Sequence, residues 1–446
     1  MSVSPARQAA YEILLRVERA GAYAADLLHS SRLSRLAEAD KALTTELAMG
    51  VLRWRARLDQ TLAAACSQPL AKLDLEVLAA LRLGAYQLAF LERVPARAAV
   101  HESVELAKRA RKRSAAPLVN AVLRRLGRPR TMFHVEPIAE GASTQEIADR
   151  YSHPLWLVER WAKSFGSSAA ARICEFDQNV PTTALRLATE GTDAELRGAG
   201  LEVARGAIVA RARRVLSGDV TGSKAFAAGR VAIQDEASQL VATLVGRGAR
   251  ILDCCAAPGG KTAAIAERNP QARIVAAELH PHRARTLRRR APQANVRVIA
   301  ADALALPLDL QFDRVLADVP CSGTGTLARN PEIKWRLAPG DLADLHRKQV
   351  AILRSALDRV APGGRLVYST CSLEAEENAA VVEEALASRS GFRLLDCREE
   401  LPRLKEAGEL VWKDVESLTR GQFLQTLPGV HPCDGFFAAV VERESV

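Results

Sequence analysis

Aromatic residues make up only 4% of this 446-residue chain, and no stretch free of Asp, Glu, Lys and Arg runs longer than the thirteen residues from Gly421 to Cys433. A membrane-spanning helix needs about 18 or more consecutive apolar residues, so none is expected. The opening Met1-Ser2-Val3-Ser4-Pro5-Ala6-Arg7 lacks the apolar core of a secretory signal, and a cytoplasmic protein is expected. In that compartment the eight Cys stay reduced, which argues against a disulfide framework. Low-complexity tracts are few. With 48% hydrophobic and 26% charged residues the chain should fold, and its length predicts two to four domains.

What is present in excess is positive charge. Lys and Arg number 62 against 52 Asp and Glu, a net charge of +10. Residues 1 to 150 hold 23 of the basic and 16 of the acidic residues, so +7 of the +10 falls in the first third. The densest run is Lys108-Arg109-Ala110-Arg111-Lys112-Arg113. Clustered cations suit a polyphosphate, because each neutralised phosphate releases counterions and adds salt-sensitive affinity. A solvated helix face is the plainer reading of such a run. Both readings also stand for Arg283, Arg285, Arg288, Arg289 and Arg290.

Through the first 130 positions apolar residues recur at helical spacing, as in Ala9, Ile13 and Val17 or Val77, Leu81, Gly84, Leu88 and Leu91, which predicts an all-helical bundle over 1–130. Pro and Gly between Gly127 and Gly141 mark a linker, 131–143. Over 144–230 a helix at Leu155 to Phe165 is followed by short extended pieces, Thr183 to Leu187 and Ile208 to Ala210, predicting a small α+β module. Over 231–446, β-rich runs alternate with amphipathic helices: Arg250 to Cys254, Arg273 to Glu278, Val296 to Ala300, Arg314 to Asp318 and Arg365 to Thr370. Such alternation predicts a doubly wound, Rossmann-like α/β sheet.

The first β–turn–α unit of that domain reads Asp253-Cys254-Cys255-Ala256-Ala257-Pro258-Gly259-Gly260-Lys261-Thr262. Gly260-Lys261-Thr262 fits the end of a phosphate-cradling G-x-x-x-x-G-K-T loop, but the required first Gly is Cys255, which argues against an ATPase. The dinucleotide fingerprint G-x-G-x-x-G keeps only one of its glycines. Acids then close successive strands: Glu278, Asp302 and Asp318. Singly each reads as readily as a cap or loop residue. In strand order they suit S-adenosylmethionine, with one carboxylate for the ribose hydroxyls, one for the adenine amine, and a glycine turn that need not bind phosphate.

Cys321, in Asp318-Val319-Pro320-Cys321-Ser322-Gly323, and Cys371, in Ser369-Thr370-Cys371-Ser372, follow two strands and are expected on one rim of the sheet. A lone Cys is most often a small buried hydrophobe, but two beside a cofactor crevice invite chemistry. Zinc is rejected for want of C-x-x-C or Cys/His spacings, and a serine hydrolase for want of G-x-S-x-G. Beside a methyl donor a thiolate has a defined use: added to carbon 6 of a pyrimidine, it makes carbon 5 nucleophilic enough to take the methyl group. At an ordinary pKa near 8.5 only about 3% is thiolate at pH 7, so the site should favour the ionised form. Asp318 is placed to hold N3 and the exocyclic amine.

At these residues the chain closely resembles the NOL1/NOP2/Sun family of RNA cytosine-5 methyltransferases, in its Sun-type branch acting on 16S ribosomal RNA. The resemblance is nearly full length and rests on Pro258-Gly259-Gly260-Lys261-Thr262, on Asp318 to Gly325, on Arg329-Asn330-Pro331-Glu332-Ile333-Lys334-Trp335-Arg336, on Tyr368 to Ser372 and on Asp434-Gly435-Phe436-Phe437. The N-terminal region is similar to the RNA-binding NusB fold, through Val51-Leu52-Arg53-Trp54, Arg82 to Leu88 and Val119 to Arg124. The resemblance implies Cys371 as nucleophile and Cys321 as the thiol that helps release product, the reverse of the DNA cytosine-5 enzymes. It also implies cofactor contacts at Cys255, Ala256, Ala257, Pro258, Gly259, Gly260, Lys261, Glu278, Asp302 and Asp318. Lys108, Arg109, Arg111, Lys112 and Arg113 are then expected to meet RNA. Glu278 departs from the Asp expected after the second strand, and Cys254 has no implied role. Transfer RNA as substrate, or a non-catalytic RNA-binding or antitermination factor, are the competing readings; the NusB-like region favours ribosomal RNA, and the intact Asp318, Cys321 and Cys371 favour an enzyme. Neither a membrane nor DNA is an expected partner, and a monomer is the default.

Overall fold

The computed structural model describes residues 3–30, 33–127, 138–139, 141–189, 191–387 and 389–445. Most of the expected 131–143 linker lies outside the described residues. The chain divides into two compact units, Met1–Val180 with Leu327–Leu337, and Pro181–Thr326 with Ala338–Val446. Among the described residues no helix is long and apolar enough to cross a membrane.

The first unit is helical. Its central helix, Leu75–Phe90, buries twelve of its sixteen residues, because Val77, Leu81 and Leu88 fill one face, Leu83 points to the opposite one, and both meet neighbouring helices. Helices Pro5–Ala20, Glu38–Arg53, Arg55–Ala65, Ala96–Arg109 and Ala116–Leu126 surround it. A capping box opens Thr144–Arg150: the Ser143 side chain accepts from the Glu146 backbone N–H, and the Glu146 carboxylate accepts from the Ser143 N–H. Such a cap stabilises a helix start by about 1 kcal/mol. Helices Leu155–Phe165 and Ser167–Gln178 follow, with Trp161 among the largest fully buried side chains.

Two boundaries differ from the sequence reading. The helices of residues 144–178 group with the first unit, whereas the sheet that follows groups with the second, so the 144–230 stretch is divided near Val180. The stretch Leu327–Leu337, expected in the 231–446 domain, also belongs to the first unit. Its polar groups find their partners there: Arg53 Nη2 donates to Ala328 O at 3.0 Å, Trp335 Nε1 to Leu52 O at 2.6 Å, and the Ala24 N–H to Glu332 Oε1 at 2.8 Å.

The second unit carries two sheets. The smaller is antiparallel, in the order β2-β3-β1-β4, from β1 (Ala184–Leu187), β2 (Glu202–Arg205), β3 (Ala212–Ser217) and β4 (Val231–Ile233). Ile208 to Ala210, expected extended, supplies only a bridge between Val209 and Leu410. The larger sheet is mixed. Its parallel part runs β9-β8-β5-β6-β7, built from β5 (Arg250–Asp253), β6 (Arg273–Glu278), β7 (Val296–Ala300), β8 (Phe312–Asp318) and β9 (Val360–Thr370). Beyond β9 lie β10 (Phe392–Leu395), β11 (Thr419–Arg420), β12 (Phe423–Gln425) and β13 (Phe437–Arg443), with β13 antiparallel to both β9 and β10. Strand order reverses between β5 and β8, and in doubly wound sheets ligands bind at the carboxyl ends of strands beside that reversal.

Candidate active site

The turn after β5 brings backbone to the crevice. Cys254 is buried in the sheet core, and Ala257–Pro258 is a cis peptide bond. Gly259 has φ +111°, where L side chains are rarely found, and a Cβ there would stand 3.0 Å from Leu287 Cδ1. Helix Gly260–Arg268 starts immediately, and Thr262 Oγ1 donates to Asp253 Oδ2 at 2.7 Å. Burial pushes the Asp253 carboxyl up to about 7, and the nearby charge of Asp318 adds to this. Cys255 is also pushed up, first by burial and then by Asp253, Asp318 and Glu278, which leaves it a poor nucleophile.

The acids lie where strand order put them. Glu278 ends β6 and is buried; the His280 N–H bonds it at 2.9 Å and Arg283 approaches to 3.7 Å, both on Oε1, leaving Oε2 for another donor. Asp302 is exposed two residues beyond β7 and accepts from the Leu304 N–H at 2.9 Å. Asp318 ends β8, opposite Ser369 in register, and accepts Ser369 Oγ at 2.7 Å on one oxygen and Lys261 Nζ at 2.8 Å on the other. Burial pulls the Lys261 ammonium down, but Asp318, and then Cys371 and Asp253, carry it above its ordinary value. The same ammonium stands 4.7 Å from the centre of the Phe436 ring. These residues fit S-adenosylmethionine: a turn without side chains at Gly259 and Gly260, and carboxylates on successive strand ends.

Cys321 and Cys371 stand on the same rim, with their sulfurs 3.2 Å apart and hydrogen-bonded. All eight Cys are free thiols. The bond to Cys371, burial and the charge of Glu377 together push the Cys321 thiol well up. Their two loops are locked together by backbone. Gly325 N–H donates to Cys371 O at 2.9 Å, and Gly435 N–H to Gly325 O at 2.7 Å; a Cβ on Gly325 would fall 2.1 Å from Gly435 O. That close approach explains why two separate motifs both carry Gly.

Sequence reasoning missed the residues beneath the thiols: Ser322, Ser372, Gln349 and above all Glu377. Glu377 lies in the acid-rich Glu374-Ala375-Glu376-Glu377, where Glu374 and Glu377 are both buried and only contacts distant in sequence set Glu377 apart. The expected RNA-binding run is exposed at the end of helix Ala96–Arg109 and just beyond, except that Lys112 is half-buried. Lys108 is paired with Glu105 at 2.7 Å and Lys112 with Asp74 at 2.9 Å. A cavity of about 660 Å³ lies apart from the crevice, at the other end of helix Gly260–Arg268. Three of its arginines are engaged by carboxylates: Arg186 by Glu267, Arg213 by Asp193 and Arg268 by Glu409.

Sheet order, glycine turn and acid rim together define a methyltransferase built on a doubly wound sheet. Residues 244–442 match the family described as 16S rRNA methyltransferase RsmB/F, and residues 4–128 match the NusB family. A probable ribosomal RNA small subunit methyltransferase B of Bacillus subtilis is 34% identical over 463 residues, covering 100% of both chains. The chain belongs to the ribosomal RNA small subunit methyltransferase B family, as an S-adenosylmethionine-dependent RNA methyltransferase with an N-terminal NusB helical domain. Among solved structures, a methyltransferase homolog protein from Pyrococcus horikoshii is 26% identical with a TM-score of 0.56, covering 69% of this chain and 100% of its own. NSun6 from Pyrococcus horikoshii, solved with SFG, has a TM-score of 0.56 at 20% identity, covering 66% of this chain and 99% of its own.

Proposed function

We propose that the protein methylates carbon 5 of a cytosine in 16S ribosomal RNA through a covalent bond between Cys371 and the base. The observation that carries this reading is the pair of thiols 3.2 Å apart at the ends of adjacent strands, beside Asp318. The Cys371 thiolate gives an electron pair to carbon 6, forming the sulfur–carbon bond and leaving an enamine rich in electrons at carbon 5. When bound, S-adenosylmethionine supplies the electrophilic methyl group that this carbon takes. Asp318 holds the N3 and amine edge of the ring, and the Lys261 ammonium beside it offsets the negative charge that builds there. A base then removes the carbon 5 proton; the freed pair restores the ring double bond and expels Cys371 as thiolate. Cys321, bonded to Cys371, serves this release.

Cofactor contacts are assigned to Cys255 through Lys261, Glu278, Asp302 and Asp318, and RNA contacts to the Lys108–Arg113 run. The target cytosine leaves its stack to enter the pocket, which costs least in single-stranded RNA. All the reacting groups named come from one chain, so a monomer suffices, and the reaction belongs in the cytoplasm, where its RNA is made. The test is a denaturing gel of the protein with labelled 16S ribosomal RNA and S-adenosylmethionine. Cys321→Ala should accumulate a denaturant-stable RNA adduct that Cys371→Ala and the double variant lack. Methyl transfer that persists without Cys371 would falsify the thiol mechanism, and equal labelling of transfer RNA would remove the ribosomal assignment.

A further inference from the structure

We propose, on the reading that Cys371 and Cys321 are the reacting pair, that Glu377 is the positioning residue of the site: one buried carboxylate holds both cysteine loops and keeps the proton shared by the two sulfurs on Cys321. Glu377 closes the 3-10 turn Ala375–Glu377 and is 0% exposed. Its Oε1 accepts from the Ser322 backbone N–H at 2.8 Å and from Gln349 Nε2 at 2.9 Å. Its Oε2 accepts from the hydroxyls of Ser322 and of Ser372, the latter at 2.5 Å. Each serine is the residue next to a cysteine. Gln349, on helix Asp341–Leu357, also donates to Pro320 O at 2.9 Å, and the Tyr368 hydroxyl donates to Glu377 O at 2.6 Å. Four donors thus converge on two oxygens, and they come from the loop after β8, the loop after β9 and a helix. No other side chain among the described residues is shown bonding both cysteine loops and a helix behind them.

The charge also falls unevenly between the thiols. The groups facing this pocket are Cys321 and Cys371, Glu377, Tyr368 on β9, Asp318 on β8, Cys255 after β5 and Lys261 on helix Gly260–Arg268. The negative charge of Glu377 opposes ionisation of Cys321, whereas the cation of the group, Lys261, is held by Asp318 within electrostatic reach of Cys371. Either sulfur of the pair, 3.2 Å apart, could donate, and the charge of Glu377 favours Cys321 as the holder of a single remaining proton. Glu377 touches no reacting atom; it acts through the serines and through its field.

Glu377→Gln separates the two roles. Its carbonyl oxygen can keep the Ser322 N–H and the Gln349 amide, and its amide can donate to the two hydroxyls, which accept as well as donate. The loops stay held while the charge is lost. In full-length protein without RNA, the pH midpoint for iodoacetamide labelling of Cys321, located by mass spectrometry, should fall by at least about one unit. With RNA, kcat should fall about tenfold or more at an RNA KM changed less than twofold. Glu377→Asp, which restores the charge, should recover most of the midpoint. A Gln variant that keeps both the wild-type Cys321 midpoint and the wild-type kcat would overturn the assignment, as would an Ala variant that unfolds while Gln leaves both readouts untouched. The labelling readout needs neither RNA nor methyl transfer, so it survives a failure of the cytosine-5 reading.

Discussion

Two lysines, one in each unit, Lys334 buried and Lys261 half-buried, show how the same side chain is kept in opposite states. Lys261 lies beside the crevice with Asp318 at 2.8 Å, and that carboxylate holds its ammonium above the ordinary value in spite of burial. Lys334, 1% exposed in the first unit, has no hydrogen-bond partner for its Nζ among the described residues, and burial pulls it down to about 7. Asp177 and Cys174 favour its charged form there and Arg53 opposes it, but neither acid is bonded to it. A buried charge persists only where a partner offsets its lost hydration. The unit that performs chemistry supplies that partner. The unit described by its helical packing does not, and there the lysine contributes length and a ring contact, 5.1 Å from the centre of the Trp335 indole.

The largest effect should come from breaking the partnered lysine. Lys261→Met removes the cation beside Asp318 and Cys371, and methyl transfer measured with 16S ribosomal RNA should fall about a hundredfold or more, the usual cost of losing an electrostatic group at a reacting centre. Lys334→Met, similar in shape, should leave the rate within about threefold. If both variants lose activity equally, the contrast between the two lysines is not functional.

A smaller effect sharpens the comparison through pH. Lys334 has its folded value near 7 and its ordinary value at 10.5. Between these values the unfolded chain binds the proton that the folded chain has released, so its contribution to stability rises with pH across that window; below about 7 the cost of the buried charge is fully present. Lys334→Met should therefore melt higher than wild type by about 5 °C or more at pH 6.5, with the gap shrinking steadily towards pH 10. A gap that is constant with pH would show that Lys334 is charged throughout, through contacts with Asp177 or Cys174.

How far the sequence shows this arrangement depends on whether the signal is local. The crevice was legible because its parts sit at fixed offsets from strand ends: a glycine turn after β5, acids closing β6 and β8 and another two residues beyond β7, and thiols three and one residues beyond β8 and β9. Alternation of β-rich and amphipathic runs located all five parallel strands, with ends shifted by a few residues. The Arg329 to Arg336 stretch was visible as a motif, but its place in the first unit was not, since Trp335 bonds Leu52, 283 residues earlier. Glu377 failed for a related reason: its donors Ser322 and Gln349 lie 55 and 28 residues away, and a run of acids reads as a solvated turn. The antiparallel flank from β10 to β13 escaped because β10, β11 and β12 are only four, two and three residues long, and from β11 to β13 no helix separates the strands to mark a parallel unit.

The smallest effect concerns the exposed cations, where the same question of partnership recurs on the surface. Five residues of the Lys108–Arg113 run read alike in sequence, yet Lys108 and Lys112 already face carboxylates of their own chain, and a cation so engaged releases less counterion when it meets a phosphate. Arg109, Arg111 and Arg113 are exposed, and among the described residues they form no ion pair. Replacing those three by Ala should reduce the slope of log affinity against log salt by about 2, at roughly 0.7 per phosphate contact on single-stranded RNA. Replacing Lys108 and Lys112 should change it by less than about 1. Exposed ion pairs of this type contribute only up to about 1 kcal/mol, so RNA could break them readily. Equal loss of slope per residue in the two variants would mean that the surface pairs open on binding and that all five cations meet phosphate. An unchanged slope in both would make the run a solvated helix end and move the RNA contact elsewhere, with Arg283 to Arg290 the next set to test in the same titration.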